Sequence, residues 1–210
     1  MFLIKLYKKY RDKKIIKSVQ KKCTCLGNVT FYNTAGIELI LGAGPQNIII
    51  NDKARIYGSI SACQNGKVNI GKFVHLGPHS KICCVNNITI GDYTGIGPNV
   101  AIIDSNYHPV NPHDRKIMRQ TPGGSYERKW IHSDNKPIVL GENVWVGENV
   151  RICKGVTIGD NAVIAACSVV TKDVPANSIA AGNPAKIVKT DIDKNTISIF
   201  DDSLLEKYGI

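Results

Sequence analysis

Five histidines are the side chains best suited to moving a proton near neutral pH in this 210-residue chain: His75, His79, His108, His113 and His132. Three of them fall in one polar stretch, DSNYHPVNPHDRKIMRQTPGGSYERKWIHSDNK, which spans residues 104–136 and also carries Tyr126 and Trp130. A single histidine held near a hydroxyl can take its proton as a general base. His108 and His113, five apart, with His75 or His79 as a third, would instead read as a zinc set, but Pro109 and Pro112 break the spacing into a loop. The seven cysteines form an odd set without a C-x-x-C pair, which points to reduced, mostly buried thiols.

What positions such a loop is legible on either side of it. From Leu140 the chain runs LGENVW VGENVR ICKGVT IGDNAV IAACSV VTKDVP, with Leu140, Val146, Ile152, Ile158, Ile164 and Val170 opening successive blocks of six. The second place is small in four of the six blocks (Gly141, Gly147, Gly159, Ala165), and the fifth is small or branched. Six matches neither the helical period nor strand alternation. It fits a solenoid that turns a corner every six residues, three sides to a coil of about eighteen residues. Before the insertion the same count runs through Ile70, Leu76 and Ile82, slips by two near Val85–Asn86, and resumes at Ile90, Ile96 and Ile102. An excess of Ile over Leu, 29 to 9, favours strands. The expected architecture is all-β: a parallel β-helix over residues 23–189 with distorted early coils before Lys67, interrupted by the 104–136 loop. Residues 190–210 read as a tail in which SLLEKY makes a short helix.

The run NVWVGENVRICKGVTIGDNAVIAACSVVTKDVPANSIAAGNPAKIV resembles the hexapeptide-repeat acyltransferases, in particular O-acetyltransferases acting on maltose, galactosides and bacterial surface polysaccharides. The resemblance extends from about Asn69 to Lys189. It implies a left-handed β-helix, acetyl-CoA as co-substrate, a sugar acceptor, a homotrimer with the coenzyme groove between subunits, and no resident metal. In that family the base is a His followed by Pro on the loop leaving the first block of coils, which His108 in NYHPVNP matches; His113 is second choice. The resemblance further implies that Trp145 packs along the pantetheine arm and that backbone at Glu148 and Ala166 bonds its amides. Thr171 and Lys172 would border the groove, and Lys186 and Lys189 would meet the phosphates. Asp104, Asn106, Tyr126 and Trp130 are candidates for orienting His108 or lining the acceptor. The coil position where the maltose and galactoside enzymes carry an acceptor-binding Asn holds Pro78 here, which shifts the expected acceptor from a small free sugar to a residue of a capsule, O-antigen or exopolysaccharide.

The competing readings are an N-acetyltransferase on an amino sugar, a γ-type carbonic anhydrase, which shares the fold and uses three histidines for zinc, and a non-catalytic scaffold. The net charge of +10 is concentrated in residues 1–22, where nine Lys and Arg face Asp12 alone. That segment reads as a basic amphipathic helix with Phe2, Leu3, Leu6, Tyr10, Ile15, Ile16 and Val19 among its lysines. It is expected either to cap the open end of the solenoid or to touch an anionic membrane surface peripherally. The body beyond it offers no basic face for nucleic acid. Without an apolar run long enough to span a bilayer, and without an N-terminal leader, the protein is expected in the cytoplasm.

Overall fold

The computed structural model describes residues 2–200 and 203–208, with side chains from Tyr10 onward apart from Glu206 and Tyr208. Helix α1 (Phe2–Gln20) leads into coil one: β1 (Thr24–Leu26), β2 (Thr30–Phe31) and β3 (Gly36–Ile40). Coil two is β4 (Ile48–Asn51), β5 (Arg55–Ile56) and β6 (Ser59–Cys63), and coil three is β7 (Lys67–Ile70), β8 (His75–Leu76) and β9 (Lys81–Cys84). Coil four is β10 (Asn87–Ile90), β11 (Gly95–Ile96) and β12 (Ala101–Ile103); after the insertion, with its helix α2 (Pro112–Gln120), comes coil five, β13 (Ile138–Leu140), β14 (Trp145–Val146) and β15 (Arg151–Ile152). Coil six is β16 (Thr157–Ile158), β17 (Val163–Ile164) and β18 (Val169–Val170). An antiparallel hairpin, β19 (Ile179–Gly182) and β20 (Ala185–Lys189), closes the end, and α3 (Ser203–Tyr208) occupies the SLLEKY segment.

Successive coils stack into three parallel faces, β1-β4-β7-β10-β13-β16, β2-β5-β8-β11-β14-β17-β19 and β3-β6-β9-β12-β15-β18. The result is a left-handed β-helix of triangular section. The block-opening residues form inward columns: Ile50, Ile70, Ile90, Leu140 and Ile158 on the first face, and Ile56, Leu76, Ile96, Val146 and Ile164 on the second. All ten are buried. Full burial of such a side chain contributes about 1.5–3 kcal/mol relative to exposure.

The corners differ from expectation in an instructive way. The small second residue of a block is not where the chain turns. A Cβ on Gly91 would sit 2.4 Å from the Gly141 carbonyl oxygen and one on Gly147 2.6 Å from the Ala166 nitrogen. Smallness there is demanded by the approach of the next coil. The turn comes two residues later, where Asn143, Asn149 and Asn161 take φ of 52°, 57° and 58° and Gly155 takes 77°. Asparagine tolerates this left-handed conformation better than most side chains. Stacked coils then align the amides into a ladder: Asn143 Nδ2 donates to Asn161 Oδ1 at 3.0 Å, and Asn161 Nδ2 to Asn177 Oδ1 at 2.8 Å.

The segment before Lys67 makes complete coils, in register with the rest. Ile56, Leu76 and Ile96 follow each other at twenty-residue intervals, whereas Val146 and Ile164 are eighteen apart. In coil three the two additional residues fall in the corner between β9 and β10, at the slip near Val85–Asn86.

At the open end, Val19 and Cys23 are buried and Ile15 and Ile16 pack on the same core, so the last turns of α1 cover the first coil. Lys22 Nζ reaches the Ile37 carbonyl oxygen at 3.2 Å. Tyr10 is exposed, while Phe2, Leu3 and Leu6 lie outside the residues whose side chains are described. No helix among the described residues is long and apolar enough to cross a membrane.

Candidate active site

The insertion is a folded element. Asn111 caps α2 by accepting from the His113 and Asp114 nitrogens, with Pro112 in the first turn. The loop lies over the third face, where Ser61, Cys63, Cys83 and Ile103 point out of the prism and are nonetheless buried. Trp130 packs on Tyr107 with ring centroids 4.8 Å apart, and the Tyr107 phenol bonds the Cys83 thiol.

Asp104 is fully buried at the neck of this loop. Its carboxylate accepts from the Val85 nitrogen at 2.9 Å and the Asn86 nitrogen at 2.8 Å, filling the wide corner between β9 and β10. Burial pushes its pKa up, against the lowering effect of those backbone donors. Asp104 is therefore spent on the scaffold and does not face an acceptor. The two sides of the neck are tied by Asn106 N to Asp134 O at 3.0 Å, Lys136 N to Asp104 O at 2.9 Å and an antiparallel bridge between Ser105 and Asn135.

Four residues beyond Asp104 stands His108, half-buried, its Nδ1 enclosed and without a hydrogen-bond partner among the described residues. Tyr107, just before it, holds φ at 62°, a left-handed conformation that a bulky residue seldom adopts. Asn106 is exposed beside it. Tyr126 is exposed and meets the His132 ring edge-on at 4.7 Å, at one end of a cleft of about 320 Å³ lined by Pro109, Asp114, Ile117, Met118, Glu127 and His132. Trp130 is a support for Tyr107 more than a free platform. His113 is on the exposed side of α2, His79 on an exposed corner and His75 on the second face. No group of three or more His, Cys, Asp and Glu disposed to hold a metal occurs among the described residues.

The residues expected at the coenzyme separate onto two edges. Trp145 is exposed on β14, in a column with Val163, Ile179 and Lys189. Glu148 and Ala166 occupy the adjoining corner between the second and third faces, and Lys186 pairs with Ala181 beside it. The Glu148 carbonyl accepts from Cys167 N–H at 2.9 Å. Thr171 and Lys172 lie on the opposite edge of the third face, in the corner that leads from β18 to the bridge of Val174 with Ile158. His108 leaves the helix at that second kind of corner. The two groups of residues are thus separated by the width of the third face.

The sequence profile of the bacterial transferase hexapeptide (six repeats) matches residues 137–172. The galactoside O-acetyltransferase of Escherichia coli K12 is 34% identical over 157 residues, 75% of this chain and 70% of that protein. The crystal structure of the polySia specific acetyltransferase NeuO superimposes with a TM-score of 0.55 at 27% identity, covering 87% of this chain and 91% of the other. AntD, an N-acyltransferase from Bacillus cereus solved with dTDP and 3-hydroxybutyryl-CoA, covers 94% of this chain and 97% of its own at a TM-score of 0.65, but at 16% identity the likeness is of fold alone.

Proposed function

The chain belongs to the hexapeptide-repeat acyltransferases, and from that premise we propose that it transfers the acetyl group of acetyl-CoA to a hydroxyl of a sugar in a surface polysaccharide or its precursor. The observation that carries this reading is His108 at the exit of coil four, its Nδ1 enclosed and unpaired on a neck anchored by Asp104. Neutral His108 takes the proton of the acceptor hydroxyl as its oxygen attacks the thioester carbonyl. Backbone N–H groups hold the oxyanion, and the imidazolium returns its proton to the departing thiolate. No acyl-enzyme forms and no cysteine is consumed. The kinship with a galactoside O-acetyltransferase and the likeness to a polySia specific acetyltransferase support a sugar acceptor. Incubating the protein with acetyl-CoA and a panel of nucleotide sugars and capsular oligosaccharides, followed by mass spectrometry, tests it. An acetylated product that mild alkali cleaves is expected; a product resistant to alkali would mean amide formation, and none at all would refute the activity.

The coenzyme would lie along Trp145, with its amides on the backbone at Glu148 and Ala166 and its phosphates at Lys186 and Lys189. Thr171, Lys172 and His108 would come from a neighbouring copy, because they leave the opposite edge of the third face. The proposal is a homotrimer in which each groove is completed by the next subunit. Sedimentation at micromolar concentration should give three times the chain mass; a monomer that still turns over would defeat this arrangement.

Lys14 and Lys17 on α1 and Lys21 just after it are exposed, while Ile15, Ile16 and Val19 cover the core. This supports peripheral contact with an anionic membrane, where polysaccharide precursors are carried on lipid. Replacing these three lysines by glutamine should abolish binding to phosphatidylglycerol vesicles at low salt and leave acetyl-CoA binding unchanged. Retained vesicle binding would remove the role.

A further inference from the structure

Outward side chains on the second face form one straight column, Arg55, His75, Gly95, Trp145, Val163, Ile179 and Lys189, each paired across strands with the next. At about 4.8 Å per strand, Lys189 lies about 14 Å to one side of Trp145 and Arg55 about 14 Å to the other. A coenzyme arm running from Lys189 past Trp145 arrives at Gly95, where a Cβ would meet nothing within 4 Å. Immediately beyond that notch stands His75, whose Nδ1 is enclosed without a partner among the described residues. Burial first, and then Arg55, lower the His75 pKa and keep the ring neutral, with one nitrogen to donate and one to accept. Tyr57 lies against it at 5.2 Å between ring centroids and is itself stacked on Tyr32 at 3.6 Å. Arg55 is exposed, and no ion pair among the described residues engages it.

We infer that Arg55, His75 and the Tyr32–Tyr57 stack form the acceptor subsite, and that this subsite selects a sugar bearing a carboxylate or a phosphate. The inference rests on the acetyl-transfer reading, which supplies the direction of the column. The part-exposed rim of the tyrosine stack suits the C–H groups of a pyranose, His75 suits a ring hydroxyl, and the guanidinium fork matches two oxygens of an anionic group.

The test uses the full-length protein and three probes: methyl glucuronide, glucose 1-phosphate and methyl glucoside. Calorimetry should show at least one of the two anionic sugars binding about tenfold or more tighter than the neutral one, and which of them gains more separates carboxylate from phosphate recognition. Arg55→Gln should erase that preference, and Arg55→Lys should restore part of it, with the acetyl-CoA Kd and the sedimentation coefficient unchanged. Equal binding of all three sugars to the wild type would overturn the proposal, as would a preference that survives Arg55→Gln. Dissociation of the assembly by Arg55→Gln would also overturn it, since the patch would then be a subunit contact. Wild-type protein that does not bind acetyl-CoA would bring down the transfer reading itself, and the subsite with it.

Discussion

His108→Ala should lower kcat by about 10²–10⁴, the usual loss when a general base is removed, and leave the Kd for acetyl-CoA within a few-fold. That corresponds to about 3–5 kcal/mol of lost transition-state stabilisation. The split follows from geometry. The proposed coenzyme wall is on the second face and the adjoining corner, whereas His108 stands on the neck of the insertion. Truncating the ring removes the proton acceptor without touching the coenzyme's wall. His113→Ala, on the exposed side of α2, should be far milder. Single-turnover measurement of acetyl transfer by the two variants checks both rates. If His113→Ala is the crippling variant and His108→Ala retains most activity, the base has been misassigned.

Asp104→Ala should destabilise the fold by about 3 kcal/mol, through loss of charge-assisted hydrogen bonds and the buried donors left behind. Its carboxylate accepts the Val85 and Asn86 N–H groups of the wide corner, and the Asp104 carbonyl receives Lys136 N–H across the neck. Asp104→Asn offers one acceptor oxygen and turns an NH2 toward backbone N–H groups, so it should lose stability too, though less. Chemical denaturation gives the stability change. Because the same carboxylate positions the neck, kcat should fall in the folded population while the acetyl-CoA Kd holds. A variant that keeps both stability and kcat would show that the corner has another support.

The period of six was legible because each block buries one aliphatic residue on its side of the triangle, and that demand recurs locally from Leu140 to Val170. The candidate base was legible for a different reason: His108 is the histidine followed by proline at the point where the repeat stops. Helix α2 was missed, although Asn111 and Pro112 ahead of Asp114 are a start signal, because the polar insertion shows no apolar stripe to mark a helix. The early coils looked distorted because their corners differ in length, which hides register from any fixed count.

What the sequence by itself determined is the coil, its inward columns and the place where the chain departs from it, all properties of neighbouring residues. Only the tertiary structure decided what Asp104 does, since its partners Val85 and Asn86 are distant in sequence and meet it only when coil four closes on coil three. The same holds for the column from Arg55 to Lys189, whose members are separated by intervals of 20, 20, 50, 18, 16 and 10 residues. Side-chain alignment on a solenoid depends on the summed length of every corner and insertion between two strands. The backbone hydrogen bonds between coils set that register, and no local pattern carries it.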